Sequence, residues 1–99
     1  MPDDPGCDLF VDAPEDPVRA LLAAHLGVEP VYGDLRLAGA EVAISRNPLA
    51  EPRGEESDHF PDWPTLVEVS AEPGHDLAAF VADLTTALRS AGHRVVAVP

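Results

Sequence analysis

The residues of this chain best suited to chemistry are Asp58, His59 and Asp62, which place one imidazole between two carboxylates. Zinc sites usually take three or four ligands from His, Cys and carboxylate side chains, and further hydrogen bonds orient those ligands. No HxH or CxxC pair occurs anywhere in the chain. We therefore expect a solvated acidic loop at these positions, with no metal site and no cofactor.

The other nucleophilic and acid–base residues form no catalytic pattern. A catalytic cysteine needs a pKa lowered by a neighbouring base or a helix N-terminus, and Cys7 follows an acidic segment instead. We expect a buried structural thiol. His25 falls on the apolar stripe of a predicted helix, and His75 and His93 flank the ends of another. P-loop, GxGxxG, GxSxG and HExxH motifs are absent, so we predict no catalytic residue and a non-enzymatic role.

The net charge of the chain limits the kinds of molecule that it is expected to bind. The chain has 18 acidic and 6 basic residues, and its formal net charge is −12. Nucleic acids are bound by neutralising their phosphates with Lys and Arg, and anionic membranes attract basic segments. We therefore expect neither direct nucleic-acid binding nor membrane binding. A field of this sign favours a basic protein partner and speeds its association at low salt.

A candidate partner-binding surface lies in the long loop at 47–64, which is rich in proline and acidic residues. Long loops in small domains are often functional, and aromatic anchors within a charged rim are typical of protein-binding sites. The alternative is that the two aromatic side chains fold back onto the domain. The predicted partner-binding residues are Glu51, Glu55, Glu56, Asp58, Phe60, Asp62 and Trp63.

The order of apolar segments predicts the elements that position this surface. A β-like run at 7–12 precedes an amphipathic helix at 16–26, and further β-like runs lie between 31 and 71. A second helix at 76–91 and a last strand at 94–98 follow. The order βαββαβ is typical of an α+β, ferredoxin-like two-layer sandwich. We expect an antiparallel sheet with both helices on one face.

The pattern also predicts two local features, the start of the first helix and the structure of the segment at 31–37. Asp16 followed by Pro17 predicts the start of the first helix, with Asp16 as its N-cap. The segment at 31–37 is either an additional edge strand or a bulged lead-in to the strand at 40–46. We favour four core strands with the additional edge strand.

The ends of the chain and its single cysteine suggest where the protein resides. Residues 1–6 are acidic and proline-rich, so we expect a disordered tail followed by a single α+β domain at 7–99. No apolar leader and no apolar run of about 20 residues is present. A lone cysteine cannot form an intramolecular disulfide. A cytoplasmic location is the expectation.

In size, charge, its unpaired cysteine and its acidic segment HFPDWP at 59–64, the chain resembles small acidic bacterial immunity or antitoxin-like proteins. The resemblance implies a stoichiometric inhibitor that occludes the basic site of a partner. The alternative is a homodimeric ferredoxin-like domain that binds a small molecule or acts as a regulatory subunit. The oligomeric state is accordingly either a monomer or a sheet-mediated homodimer.

Overall fold

The structure, a computed structural model, describes residues 6–48 and 63–98. Its elements in chain order are β1 (Gly6–Val11), α1 (Glu15–Leu26), β2 (Leu35–Leu37), β3 (Ala40–Arg46), β4 (Thr65–Ala71), α2 (Leu77–Ser90) and β5 (Val95–Val98).

The strands form one five-stranded antiparallel sheet in the order β2-β3-β4-β1-β5. With the two helices this is an α+β architecture of two layers, as the pattern predicts. The additional edge strand is present as β2, but it is shorter than the predicted segment at 31–37. Residues 31–34 form a tight turn instead, closed by two backbone hydrogen bonds between Val31 and Asp34.

The core lies between the sheet and both helices. Alternation along the strands directs Leu9, Val67 and Val42 to the covered face, where they meet Leu22 of α1 and Leu84 of α2. All five side chains are fully buried. Burying one face of each element in this way leaves the other sheet face free of any described element.

The helix ends differ in how well the sequence predicts them. The second helix is predicted to begin at Asp76; Asp76 is instead the N-cap of α2, and its side chain accepts a hydrogen bond from the Ala79 amide at 3.1 Å. The predicted start of α1 is wrong, since the helix begins at Glu15 and Pro14 occupies its N-cap without a side-chain cap. The carboxylate of Asp16 instead accepts a hydrogen bond from Arg19, three residues along the helix, at 3.0 Å.

No helix within the described ranges is long and apolar enough to cross a membrane.

Candidate functional site

The two ends of the loop between β3 and β4 are fastened together at one end of the sheet, which we call the loop end. Asn47, only 1% exposed, donates from its side chain to the carbonyl oxygen of Trp63 at 2.8 Å. Its backbone amide donates to the carbonyl oxygen of Pro64 at 2.9 Å. Both ends of the loop are therefore held beside the start of β4.

Trp63 packs into this end of the domain and is 5% exposed. The guanidinium carbon of Arg94 lies 4.8 Å from the centre of the indole ring, within the range of a cation–π interaction. Two nitrogens of Arg94 also donate to one carboxylate oxygen of Asp12, at 2.6 and 2.9 Å. Arg94 thus links the loop to the end of β1.

This geometry bears on the predicted partner-binding residues. For Trp63 the structure shows the alternative, in which the ring folds back onto the domain. Its burial leaves little of the ring for a partner to contact. The partner-binding role of the loop stays a prediction, because its other members lie outside the described residues: Glu51, Glu55, Glu56, Asp58, Phe60 and Asp62.

The acidic residues at the start of α1, also at the loop end, are held by a second arginine. Arg19 forms ion pairs with Asp16 at 3.0 Å and with Glu15 at 3.6 Å. Its remaining donors reach the carbonyl oxygens of Gly33 at 2.8 Å and Ile44 at 3.3 Å. Arg19 is therefore a structural link between α1, the turn at 31–34 and β3, and it neutralises part of the local negative charge.

A different group of acidic residues lies on the sheet face that no described element covers (the open sheet face), towards its other end. Asp8 of β1 stands directly opposite Glu68 of β4, and Glu41 of β3 stands opposite Ser70. Glu72 follows β4 on the same face. We call this surface the acidic trough, and it consists of Asp8, Glu41, Glu68, Ser70 and Glu72.

The carboxylates of the acidic trough are exposed, and they have no ion pair with any described residue. Among the described residues, the acidic side chains with neither a hydrogen bond nor an ion pair are Asp8, Glu29, Glu41, Glu68 and Glu72. All of these except Glu29 belong to the trough. Like charges directly opposite each other on neighbouring strands destabilise a sheet, so the fold keeps this cluster at some cost.

The trough is concave as well as charged. Two adjoining shallow depressions, of about 370 and 260 Å³, share Glu41 and Ser70 along their common border. Asp8 and Glu68 line the larger depression, and the exposed guanidinium of Arg36 marks the far rim of the other at the β2 edge. The carboxylates therefore line a shallow concave surface, with one arginine at its edge.

Groups able to perform acid–base or metal chemistry do not converge in the part of the chain described here. No cluster of three or more His, Cys, Asp or Glu side chains there could hold a metal ion. His25 pairs with Asp83 of α2 at 2.8 Å and so joins the two helices. Burial raises the pKa of the Cys7 thiol above its ordinary value of 9.0, and the nearby Asp8 raises it further. A raised pKa leaves less thiolate at neutral pH.

An apolar groove of about 530 Å³ lies between α2 and the sheet, on the opposite side of β1 from the trough. Leu77, Val81 and Ala97 form its walls, and Cys7 lies within it. The hydroxyl oxygen of Thr85, which also lines the groove, is buried and has no hydrogen-bond partner among the residues that the structure describes.

The chain matches no protein-family model, and neither the curated proteins nor the solved structures contain a significant match to it. Its function therefore has to be argued from its own residues.

Sequence reasoning missed the acidic trough because the trough depends on strand register. Alternation within each strand indicates which side chains point away from the core, and it places Asp8, Glu41 and Glu68 on the outer face. Only the pairing of β1 with β4 and of β4 with β3 brings these three residues side by side. A count of acidic residues within single segments emphasises the loop instead, where they are close in sequence.

Proposed function

We propose that this protein is a non-enzymatic, acidic protein-binding module whose acidic trough docks a basic partner. The observation that carries the proposal is the set of exposed carboxylates aligned in register on the sheet face that no described element covers, where they have no ion pair among the described residues. Other acidic residues of the domain are neutralised by Arg19 and Arg94. Those in the trough form no ion pair among the described residues, and Arg36 of β2 stands opposite Glu41 in register.

Electrostatics supports this assignment. Clustered carboxylates repel one another in the free protein, and a cationic partner relieves that repulsion while forming new ion pairs. Complementary fields also steer two proteins together, which raises the association rate at low salt. A net charge of −12 adds long-range attraction for any basic partner.

The mode of action we propose is stoichiometric inhibition. A small acidic domain seated on a cationic site blocks that site by occupying it, without chemistry of its own. The resemblance to immunity or antitoxin-like proteins points to the same mechanism. In that case the partner is an enzyme whose substrate is anionic, because its active site then carries the cations that the trough recognises.

We further propose that the scaffold is a ferredoxin-like sandwich. Without β2, the strand order is β5-β1-β4-β3 and all neighbours are antiparallel. Two helices cover one face and connect strands that are not neighbours in the sheet. In this view β2 is an edge addition, and the open sheet face is the surface that the scaffold offers to other molecules.

Two variant sets of equal net charge test where the partner binds. The trough set carries Asp8→Asn, Glu41→Gln and Glu68→Gln, and the loop set carries Glu55→Gln, Glu56→Gln and Asp58→Asn. The tagged wild-type protein is used to isolate its partner from the source cells, and the purified partner is then titrated against both sets by calorimetry.

We expect a basic partner in a 1:1 complex and an affinity for the trough set at least about tenfold below that for the loop set, as losing several close charge pairs implies. Equal losses in both sets would mean that only the overall field matters. A greater loss in the loop set would place the site in the loop. The proposal fails if the partner is acidic or if neither set changes the affinity.

The groove beside α2 favours a second candidate function, the binding of a small ligand. Apolar walls with a few polar groups are typical of ligand sites, and the unpartnered Thr85 hydroxyl offers a hydrogen bond. The test is a thermal-shift screen with aliphatic carboxylic acids and alcohols. A hit that Val81→Phe abolishes by filling the groove supports this function, and a screen without hits rejects it for those ligand classes.

A further inference from the structure

The turn at 31–34 carries the only tyrosine of the chain in an unusual backbone conformation. Val31 and Asp34 exchange hydrogen bonds of 2.8 and 3.0 Å, so Tyr32 and Gly33 form a two-residue loop. Their φ angles are 52° and 85°. Positive φ at both central residues defines a type I′ turn, which favours Asn-Gly or Gly-Gly. Gly33 fits this requirement, whereas Tyr32 adopts a left-handed conformation that a bulky L-residue rarely takes.

Burial of the Tyr32 side chain does not offset this strain. It is 100% exposed, and the neighbouring Val31 is 45% exposed. No other large hydrophobic side chain among the described residues is classed as exposed. Strained residues concentrate at functional sites, where the surrounding structure holds them in place.

The surrounding structure does hold this turn firmly. Arg19, whose side chain is 20% exposed, donates to the carbonyl oxygen of Gly33 at 2.8 Å. The side chain of Asp34 accepts a hydrogen bond from the Ile44 amide of β3 at 3.3 Å. The aromatic ring is therefore presented on a fixed support and loses little backbone freedom when it is bound.

We infer that Tyr32 is an aromatic anchor inserted into an apolar pocket of the partner, with Val31 against the pocket wall. The inference deepens the proposed function and rests on it. Exposed tyrosines on rigid supports are typical binding hot spots. The partner is a protein whose pocket has a cationic rim, because the exposed carboxylate of Glu29 lies two residues before the turn and the whole chain has a net charge of −12. The same charges disfavour stacking on a nucleic acid.

The anchor and the acidic trough lie within reach of one partner. Tyr32 is four residues before Arg36, which marks the rim of the trough at the β2 edge, so their Cα atoms are at most about 14 Å apart. An ordinary interface covers about 800 Å² on each protein. One partner can therefore contact the β2 side of the trough and Tyr32 together.

Photo-crosslinking in the source cells tests this arrangement. p-Benzoylphenylalanine is placed at position 32, at position 41 in the trough, and at the exposed Ala24 of α1 as a control. We expect one and the same protein to be crosslinked from positions 32 and 41 and not from position 24. A crosslink at 41 without one at 32 overturns the anchor alone. No crosslink at either position overturns the proposed function with it.

The crosslinked protein is then purified and titrated against Tyr32→Ala, Tyr32→Asn and the control Ala24→Ser, which changes an exposed residue of α1. Loss of a hot spot predicts about thirtyfold weaker binding for both Tyr32 variants and a change within about twofold for Ala24→Ser. Asn suits a left-handed backbone, so Tyr32→Asn should unfold at the same temperature as the wild type or higher. Wild-type affinity in the Tyr32 variants, or a crosslink to a second copy of this chain, overturns the inference. If Tyr32→Ala weakens binding and the trough set does not, Tyr32 is an anchor but the acidic trough is not the surface that docks the partner.

Discussion

The acidic residues at the two ends of the sheet differ in whether an arginine neutralises them. At the loop end, Asp12 is bound by Arg94, and Glu15 and Asp16 are bound by Arg19. In the acidic trough, Asp8 and Glu68 face each other, and neither has an ion pair within the described residues. The chain has only 6 basic residues. Two of them, Arg19 and Arg94, form ion pairs at the loop end, where they hold the start of α1 and the end of the loop.

This difference separates carboxylates that maintain the structure from those that are available to a partner. A paired carboxylate at the loop end fixes a loop, a strand end or a helix start. An unpaired one in the trough lowers the stability of the free protein and gains from a cationic partner. The following variants are expected to sharpen this contrast, or to break it.

The largest effect is expected from Trp63→Ala at the loop end. Removing a buried indole should lower the free energy of unfolding by about 3 kcal/mol, from lost burial and the cavity that remains. Urea unfolding followed by circular dichroism measures the change, because Trp63 is the only tryptophan and cannot serve as the fluorescent probe. Trp63→Phe is the matched control and should lose less. A loss below about 1 kcal/mol for Trp63→Ala would contradict its anchoring role.

Arg94→Ala should have an intermediate effect. It removes two charge-assisted hydrogen bonds to Asp12 and the contact with the indole ring. Because the pair is partly exposed, we expect a loss of about 1 kcal/mol. Arg46 is exposed and, within the described residues, has no hydrogen bond or ion pair, so Arg46→Ala should change stability by less than about 0.5 kcal/mol.

A double-mutant cycle with Asp12→Asn isolates the pairing of Arg94 with Asp12. A coupling energy near zero would mean that Arg94 acts through the indole ring alone.

A neutralising variant in the trough should change stability in the opposite direction. Glu68→Gln removes the repulsion with Asp8 and should stabilise the protein by about 0.3 kcal/mol at low salt. The gain should disappear at about 1 M salt, where charges are screened within about 3 Å. The control Glu29→Gln changes an exposed carboxylate outside the trough. Destabilisation by Glu68→Gln would show that Glu68 has a structural role, and the contrast between the two ends would fail.

The smallest effect concerns Cys7, which lies on β1 beside the trough and whose pKa is raised by burial and by Asp8. A raised pKa in the folded state means that the folded protein holds the thiol proton more tightly than the unfolded chain. Its contribution to stability is therefore complete below pH about 9 and is lost as the pH rises through the folded-state pKa.

Urea unfolding at pH 8 and pH 10 should thus show a steeper loss for the wild type than for Cys7→Ala. Iodoacetamide should also alkylate the folded wild type more slowly than the unfolded chain. Equal alkylation rates would contradict the raised pKa.

Much of the secondary structure was predictable because it follows local patterns. The alternation from Ala40 to Arg46 predicted that strand with its correct bounds, and β4 (Thr65–Ala71) alternates in the same way within the β-like runs predicted up to residue 71. The predicted helix at 76–91 is present as α2, within one residue of the predicted bound at each end. The start of α1 was not predictable from its residues, because Asp16 binds Arg19 instead of capping the helix, and both choices are locally favourable.

The candidate site was much less predictable. Trp63 and its acidic neighbours looked like one exposed surface in the sequence, but Trp63 is held by Arg94 from a distant segment. The strain at Tyr32 was also hidden, since only the backbone path of the turn shows that a tyrosine occupies a position suited to glycine or asparagine.

The sequence alone determined the net negative charge, the succession of strands and helices, and which side of each element is apolar, because these depend on composition and on spacing within one segment. The tertiary structure decided which carboxylates are neutralised and which stand side by side. Those outcomes depend on strand register and on contacts such as that of Arg94 with Asp12, 82 positions apart in the chain.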